Sequence, residues 1–148
     1  MKNLIVLGAG ESGEGAALLA KKYLWKVFVS DSNKICSKTL EIFKNNEIEF
    51  EELGHSADKI LKADLIIKSP GISNECKIVK QIKKNKIPII SEIEFAFGYT
   101  NATIIGVTGS NGKTTTATLT HHMLNEAGID VGLAGNVGRS FAKALVED

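Results

Sequence analysis

The sequence predicts a doubly wound α/β domain, and three observations carry that expectation. Short apolar runs bounded by glycine, proline or aspartate alternate with amphipathic stretches. The runs are continuous, as strands of a parallel sheet covered by helices on both faces are. A glycine loop follows the first run and opens the first helical stretch, the usual start of a Rossmann-like sheet.

Taken in order, Leu4-Ile5-Val6-Leu7 reads as the first strand and residues 12–23 as the first helix. Val27-Phe28-Val29 follows as the second strand, and residues 35–45 as the second helix. Further strands are expected at residues 48–50, 65–67 and 87–90, with helices before and after the last two, so that the domain closes near Tyr99. Trp25 stands out, because a helix-to-strand turn more often carries glycine than Leu24-Trp25.

Residues 100–103 are a short polar link. Ile104-Ile105-Gly106-Val107 then reads as a new strand with its own glycine loop and helix, so a domain boundary is expected at residue 100, with residues 1–99 as one domain and residues 100–148 as the start of a second, ATPase-type α/β domain. The chain passes through Val131-Gly132-Leu133 and Gly135-Asn136 into a last helical stretch that runs to Asp148 without a glycine cap. That ending leads us to expect a piece of a longer protein, with an uncovered apolar sheet edge that favours self-association.

An apolar fraction of 43%, a charged fraction of 24% and only two prolines set the chain among globular proteins. A formal net charge of +1 offers no basic face for nucleic acid or a membrane surface. The lysine pairs Lys21-Lys22 and Lys83-Lys84 read as solvated helix faces. Cys36 and Cys76 have no CxxC spacing and no histidine beside them, which excludes a zinc motif and points to two free thiols. The opening MKNLIVLGAG is a buried strand and does not resemble a signal peptide, and no run approaches the roughly 20 apolar residues of a membrane span. The expected location is the cytoplasm.

Gly8-Ala9-Gly10-Glu11-Ser12-Gly13 fits G-x-G-x-x-G, and Asp31 ends the next strand near the expected offset of about 20 residues. Glycines let the backbone turn and approach a ligand, while the unpaired N–H groups of a helix start favour an anion. Read alone, the loop fits either a nucleotide site or a tight turn without ligand. Glu11 weighs against NAD, because a carboxylate beside a pyrophosphate adds like charge.

The second loop, Thr108 followed by Gly109, Ser110, Asn111, Gly112, Lys113, Thr114 and Thr115, is the stronger signal. Successive backbone N–H groups can wrap a triphosphate, Lys113 can neutralise β and γ oxygens, and the Thr114 hydroxyl can ligate Mg2+. Strict Walker A spacing would place its first glycine at Val107, so the match covers the core of that motif. His121 and His122 point in different directions on the following helix and cannot share one metal. His55, Met123 and Trp25 read as structural or surface residues.

With GAGESG, DLIIKSPGI at residues 64–72, SEIEF at residues 91–95, TGSNGKTT and LAGNVG at residues 133–138, the chain resembles the Mur ligases along essentially its whole length. SPGI and SEIEF make it look like the D-glutamate-adding branch. The resemblance implies an ATP-dependent ligase of peptidoglycan synthesis that joins D-glutamate to UDP-N-acetylmuramoyl-L-alanine through an acyl phosphate, with Mg2+ and ATP, as a full-length monomer. It implies a UDP-substrate domain followed by the central ATPase domain. It places Glu11, Ser12, Asp31, Ser32, Ser69 and Gly71 on the uridine-diphosphate site, Asn136 against the bound substrate, and residues 109–115 on ATP. Lys113 and Thr114 would serve catalysis, with Thr114 on the metal. Ser69-Pro70-Gly71 alone also fits a strand-terminating turn. At Asn33 the family often carries a more basic residue. Further metal ligands and the D-glutamate site would lie beyond Asp148, so the chain is expected to bind substrate without catalysing ligation alone. An NAD-type module or dehydrogenase domain is the competing expectation; it leaves the Lys113 loop without a role.

Overall fold

The computed structural model describes residues 2–147. Asp148, the expected end of the last helix, lies outside them. Strands β1 (Asn3–Leu7), β2 (Lys26–Ser30), β3 (Glu49–Glu51), β4 (Leu65–Lys68) and β5 (Ile89–Ile90) form one sheet in the order β3-β2-β1-β4-β5, every pair parallel. Helices α1 (Glu11–Lys22), α2 (Ser37–Asn45), α3 (Ala57–Ile60), α4 (Lys77–Lys84) and α5 (Glu92–Phe97) connect and follow the strands. The strands shorten toward the edges, and β5 begins two residues later than the apolar run that predicted it.

Side chains alternate across a strand, so one apolar run supplies two cores. Leu4 and Val6 of β1 pack with Val27, Val29, Phe43 and the alanine face of α1 on one side of the sheet. Ile5 and Leu7 pack with Phe28, Ile66, Val79 and Ile82 under α3 and α4 on the other. At the end of α1, Leu24 takes the left-handed backbone that glycine usually supplies, with φ of 61°. The turn is held because Trp25 donates its backbone N–H to Ala20 and its Nε1–H to the Tyr99 hydroxyl at 2.8 Å.

The second region departs from expectation. Residues 104–107 form no strand, and Ile104 and Ile105 are exposed. A strand exists only through its ladder, and no described segment runs beside this one to supply partners. Its glycine loop and helix do form: α6 (Lys113–Glu126) has no buried residue. Only a single bridge between Ala134 and Arg139 follows before α7 (Phe141–Glu147).

α7 returns to the first sheet and packs on α1 and α5. Gly15 permits the approach, since a Cβ there would lie 2.3 Å from Ser140 Oγ and 2.9 Å from the Lys143 nitrogen. Lys143 Nζ pairs with the buried Glu14 at 2.8 Å, Glu92 accepts from the Ala142 N–H, and Lys22 Nζ donates to the Leu145 carbonyl at 3.0 Å.

Candidate functional site

A cleft of about 620 Å³ opens over the carboxyl ends of β1, β2 and β4, where ligands of open α/β sheets sit. Gly8 turns the chain out of β1 with φ of +94°, and a Cβ on it would meet Ser69 Oγ at 2.6 Å, so the loops after β1 and β4 touch. A Cβ on Gly13 would lie 1.9 Å from the Gly8 carbonyl oxygen, which is why the first turn of α1 can rest on its own loop. The first bond of α1 runs from Glu14 N–H to the Gly10 carbonyl at 2.8 Å. The helix start has no side-chain cap, so the amides before Glu14 remain available for an anion.

The structure brings Glu11, Ser12, Asp31, Ser32, Ser69 and Gly71 together on this one cleft. Asp31 also braces it. Its Oδ2 accepts from the Ala9 N–H at 2.7 Å and its Oδ1 from the Asn33 N–H at 2.8 Å, tying the loops after β1 and β2 together. Lys68, which sequence reasoning passed over, folds across the SPGI turn and donates to the carbonyls of Ile72 at 2.7 Å and Ser69 at 3.3 Å. A charged residue closing an otherwise apolar strand was the available signal.

His55 is the second residue missed. It was expected to be structural or superficial, but it lines the cleft, with Nδ1 2.7 Å from the Oγ of buried Ser30. The same Oγ lies 2.7 Å from Glu51 Oε1. Burial pushes the Glu51 carboxyl up, but hydrogen bonds from Ser56 and Ser30 and the nearby Lys59 charge outweigh it, and the group titrates below the usual range. No spacing rule links Ser30, Glu51 and His55; the parallel register of β2 and β3 does, by setting Ser30 opposite Glu51.

Asn136 is not part of this cleft; it is exposed in the turn before α7. The residues from Gly109 to Thr115 form a separate exposed loop and helix start. Gly112 caps α6 with a left-handed backbone, φ 75°, and the first helical bond runs from Thr116 N–H to the Gly112 carbonyl at 2.9 Å. The amides of Lys113, Thr114 and Thr115 therefore precede the ladder, which suits a phosphate. Lys113 Nζ folds back onto the carbonyls of Gly109 and Ser110. For a metal the fit is partial: the Thr114 hydroxyl is exposed, but among the described residues no group of three or more His, Cys, Asp or Glu is placed to hold an ion. His121 is half-buried and His122 exposed. No described helix is long and apolar enough to cross a membrane.

Residues 3–78 match the family described as the MurD N-terminal domain, and residues 107–145 the Mur ligase middle domain. A UDP-N-acetylmuramoylalanine–D-glutamate ligase of Bacteroides fragilis is 49% identical over 148 residues, covering 100% of this chain and 33% of that protein. The enzyme of the same name from Porphyromonas gingivalis is 51% identical over 146 residues, covering 99% and 32%. Among solved structures, a pseudomurein peptide ligase type C from Methanothermus fervidus superposes with a TM-score of 0.60 at 34% identity, covering 86% of this chain and 27% of that one. A murein peptide ligase from Psychrobacter arcticus gives 0.65 at 26% identity, covering 91% and 28%. The chain spans about a third of the length of the curated relatives it matches.

Proposed function

The chain belongs to the Mur ligase family, through a MurD-type N-terminal domain joined to a segment of the middle domain, and from that premise we propose that it is part of a cytoplasmic, ATP-dependent ligase that adds D-glutamate to UDP-N-acetylmuramoyl-L-alanine. Residues 1–99 are the substrate domain of this reading and residues 100–148 part of the ATPase domain. The observation that carries it is the convergence of Glu11, Ser12, Asp31, Ser32, Ser69 and Gly71 on one cleft beside the uncapped start of α1. Phosphates would lie against the α1 amides, and the Glu11 carboxylate would take hydroxyl donors, since it repels anions. Two loops of different kind then have two different tasks.

ATP would be held by residues 109–115, with Lys113 beside the β and γ oxygens and Thr114 as one Mg2+ ligand. Mg2+-bound ATP supplies an activated phosphoryl group for the substrate carboxylate, and the chain's own part is to position it and neutralise its charge. Asn136 would approach the substrate from the ATPase segment. D-glutamate and the remaining metal ligands would be met by residues of the longer protein.

Calorimetric titration with UDP-N-acetylmuramoyl-L-alanine, with NAD as the control, tests the cleft. Heat with the UDP substrate alone is expected. Binding of NAD alone, or of neither, would remove the support for this reading.

A further inference from the structure

Ser30 ends β2 fully buried, and its Oγ has Glu51 Oε1 at 2.7 Å, His55 Nδ1 at 2.7 Å and the Gly54 carbonyl at 3.3 Å. A serine hydroxyl carries one proton, and an ionised carboxylate only accepts. The Ser30 proton therefore goes to Glu51, whose Oε1 also accepts the Ser56 N–H at 2.8 Å and is fixed from two sides. A second contact of 2.7 Å on the same serine oxygen then needs a donor, so Nδ1 carries the imidazole proton. In the neutral ring Nε2 is left with a lone pair. No described group donates to Nε2, and His55 is part of the cleft wall.

We propose that His55 Nε2 is a fixed acceptor that selects the nucleobase, taking the imide N–H of a uracil ring and rejecting a base that presents a bare ring nitrogen there. This rests on reading the cleft as a uridine-nucleotide site and adds which residue recognises the base. The α1 start is where phosphates are favoured, and His55 stands beyond Asp31 and Ser32 at the β2–β3 side, where the other end of a nucleotide would lie. A ribose hydroxyl can donate or accept, so a fixed lone pair would not discriminate among sugars. An imide nitrogen can only donate, and the corresponding nitrogen of cytosine can only accept. Holding the tautomer through Ser30 and Glu51 therefore turns a histidine into a reader of that one atom.

The test compares UDP with CDP by calorimetry above neutral pH, on the protein and on its His55→Phe and Ser30→Ala variants. UDP is expected to bind roughly tenfold tighter than CDP, the size of one well-placed hydrogen bond, and the preference should shrink to less than about twofold in His55→Phe. Ser30→Ala, which frees the ring to take either tautomer, should fall between. An unchanged preference in His55→Phe overturns the role of His55 and leaves the uridine site standing, whereas failure of the unaltered protein to bind UDP overturns both. Ring-nitrogen NMR of the free protein reads the tautomer without any ligand: a proton on Nδ1 is expected, and neutral His55 protonated on Nε2 would sink the proposal.

Discussion

The two glycine-loop segments begin with the same local pattern, an apolar run followed by a loop and a helix, and end in different environments. Leu4, Val6 and Leu7 of β1 are 0% exposed, while Ile104 and Ile105 are 49% and 61% exposed. Helix α1 buries a face that includes Ala16, Ala17, Leu19 and Ala20, and α6 has no fully buried residue. The difference is in the neighbours. β1 lies between β2 and β4 and satisfies its backbone on both edges, whereas no described segment flanks residues 104–107. A glycine loop and helix close their hydrogen bonds locally and form in either setting. The strand closes its bonds at a distance and needs partners.

Paired truncations separate the two segments most directly. Phe43→Ala, in the core of the sheet domain, is expected to cost about 3–5 kcal/mol in denaturant unfolding, and Leu119→Ala on α6 less than about 0.5 kcal/mol. Equal costs would mean that α6 is packed after all. Next in size is Gly15→Val, whose added carbons collide with Ser140 and Lys143; forced overpacking should lower stability by about 1–3 kcal/mol in thermal melts. A neutral result would show that α7 is not seated on α1.

The smallest effect is in pH. Burial pushes the Glu14 carboxyl up, but the hydrogen bonds from Lys143 and Thr39 outweigh it and hold it below its ordinary 4.5. Its contribution is present above that value and lost as pH falls through the depressed one. Burial raises Glu92, with Glu11 adding to the rise against the Ala142 N–H. Its protonated form favours the fold, so that contribution is present at acid pH and lost as pH rises through the raised value. Melting temperature followed downward from neutrality should therefore rise before it falls, and Glu92→Gln should abolish the rise while keeping the acid loss. A single unbroken decline in both proteins would count against the opposed carboxylates.

Much of this was legible beforehand, for reasons that differ by residue. Continuous runs such as Leu4 to Leu7 announce a buried parallel strand, and G-x-G-x-x-G announces the loop over it, because both depend on adjacent residues. The cleft positions of Ser69 and Gly71 came through a family pattern. His55 and Lys68 were missed because their meaning depends on register and on a side chain folding back, neither of which is periodic in sequence. The absent strand at residues 104–107 failed in the opposite way: its pattern is correct, but pairing is a property of the surroundings.

The seat of α7 has a consequence for chain mechanics. Tyr99 is held to Trp25 on one side, and α7 is held to α1 and α5 on the other. The stretch between them, the loop at residues 109–115 included, is thus a tether pinned at both ends to one body. Pinning both ends removes configurations that a tail fixed at one end would keep, at an entropic cost that grows only slowly with the stretch's length. Residues 109–115 are accordingly anchored from both sides, and a single proteolytic nick within them would leave both cut ends moored.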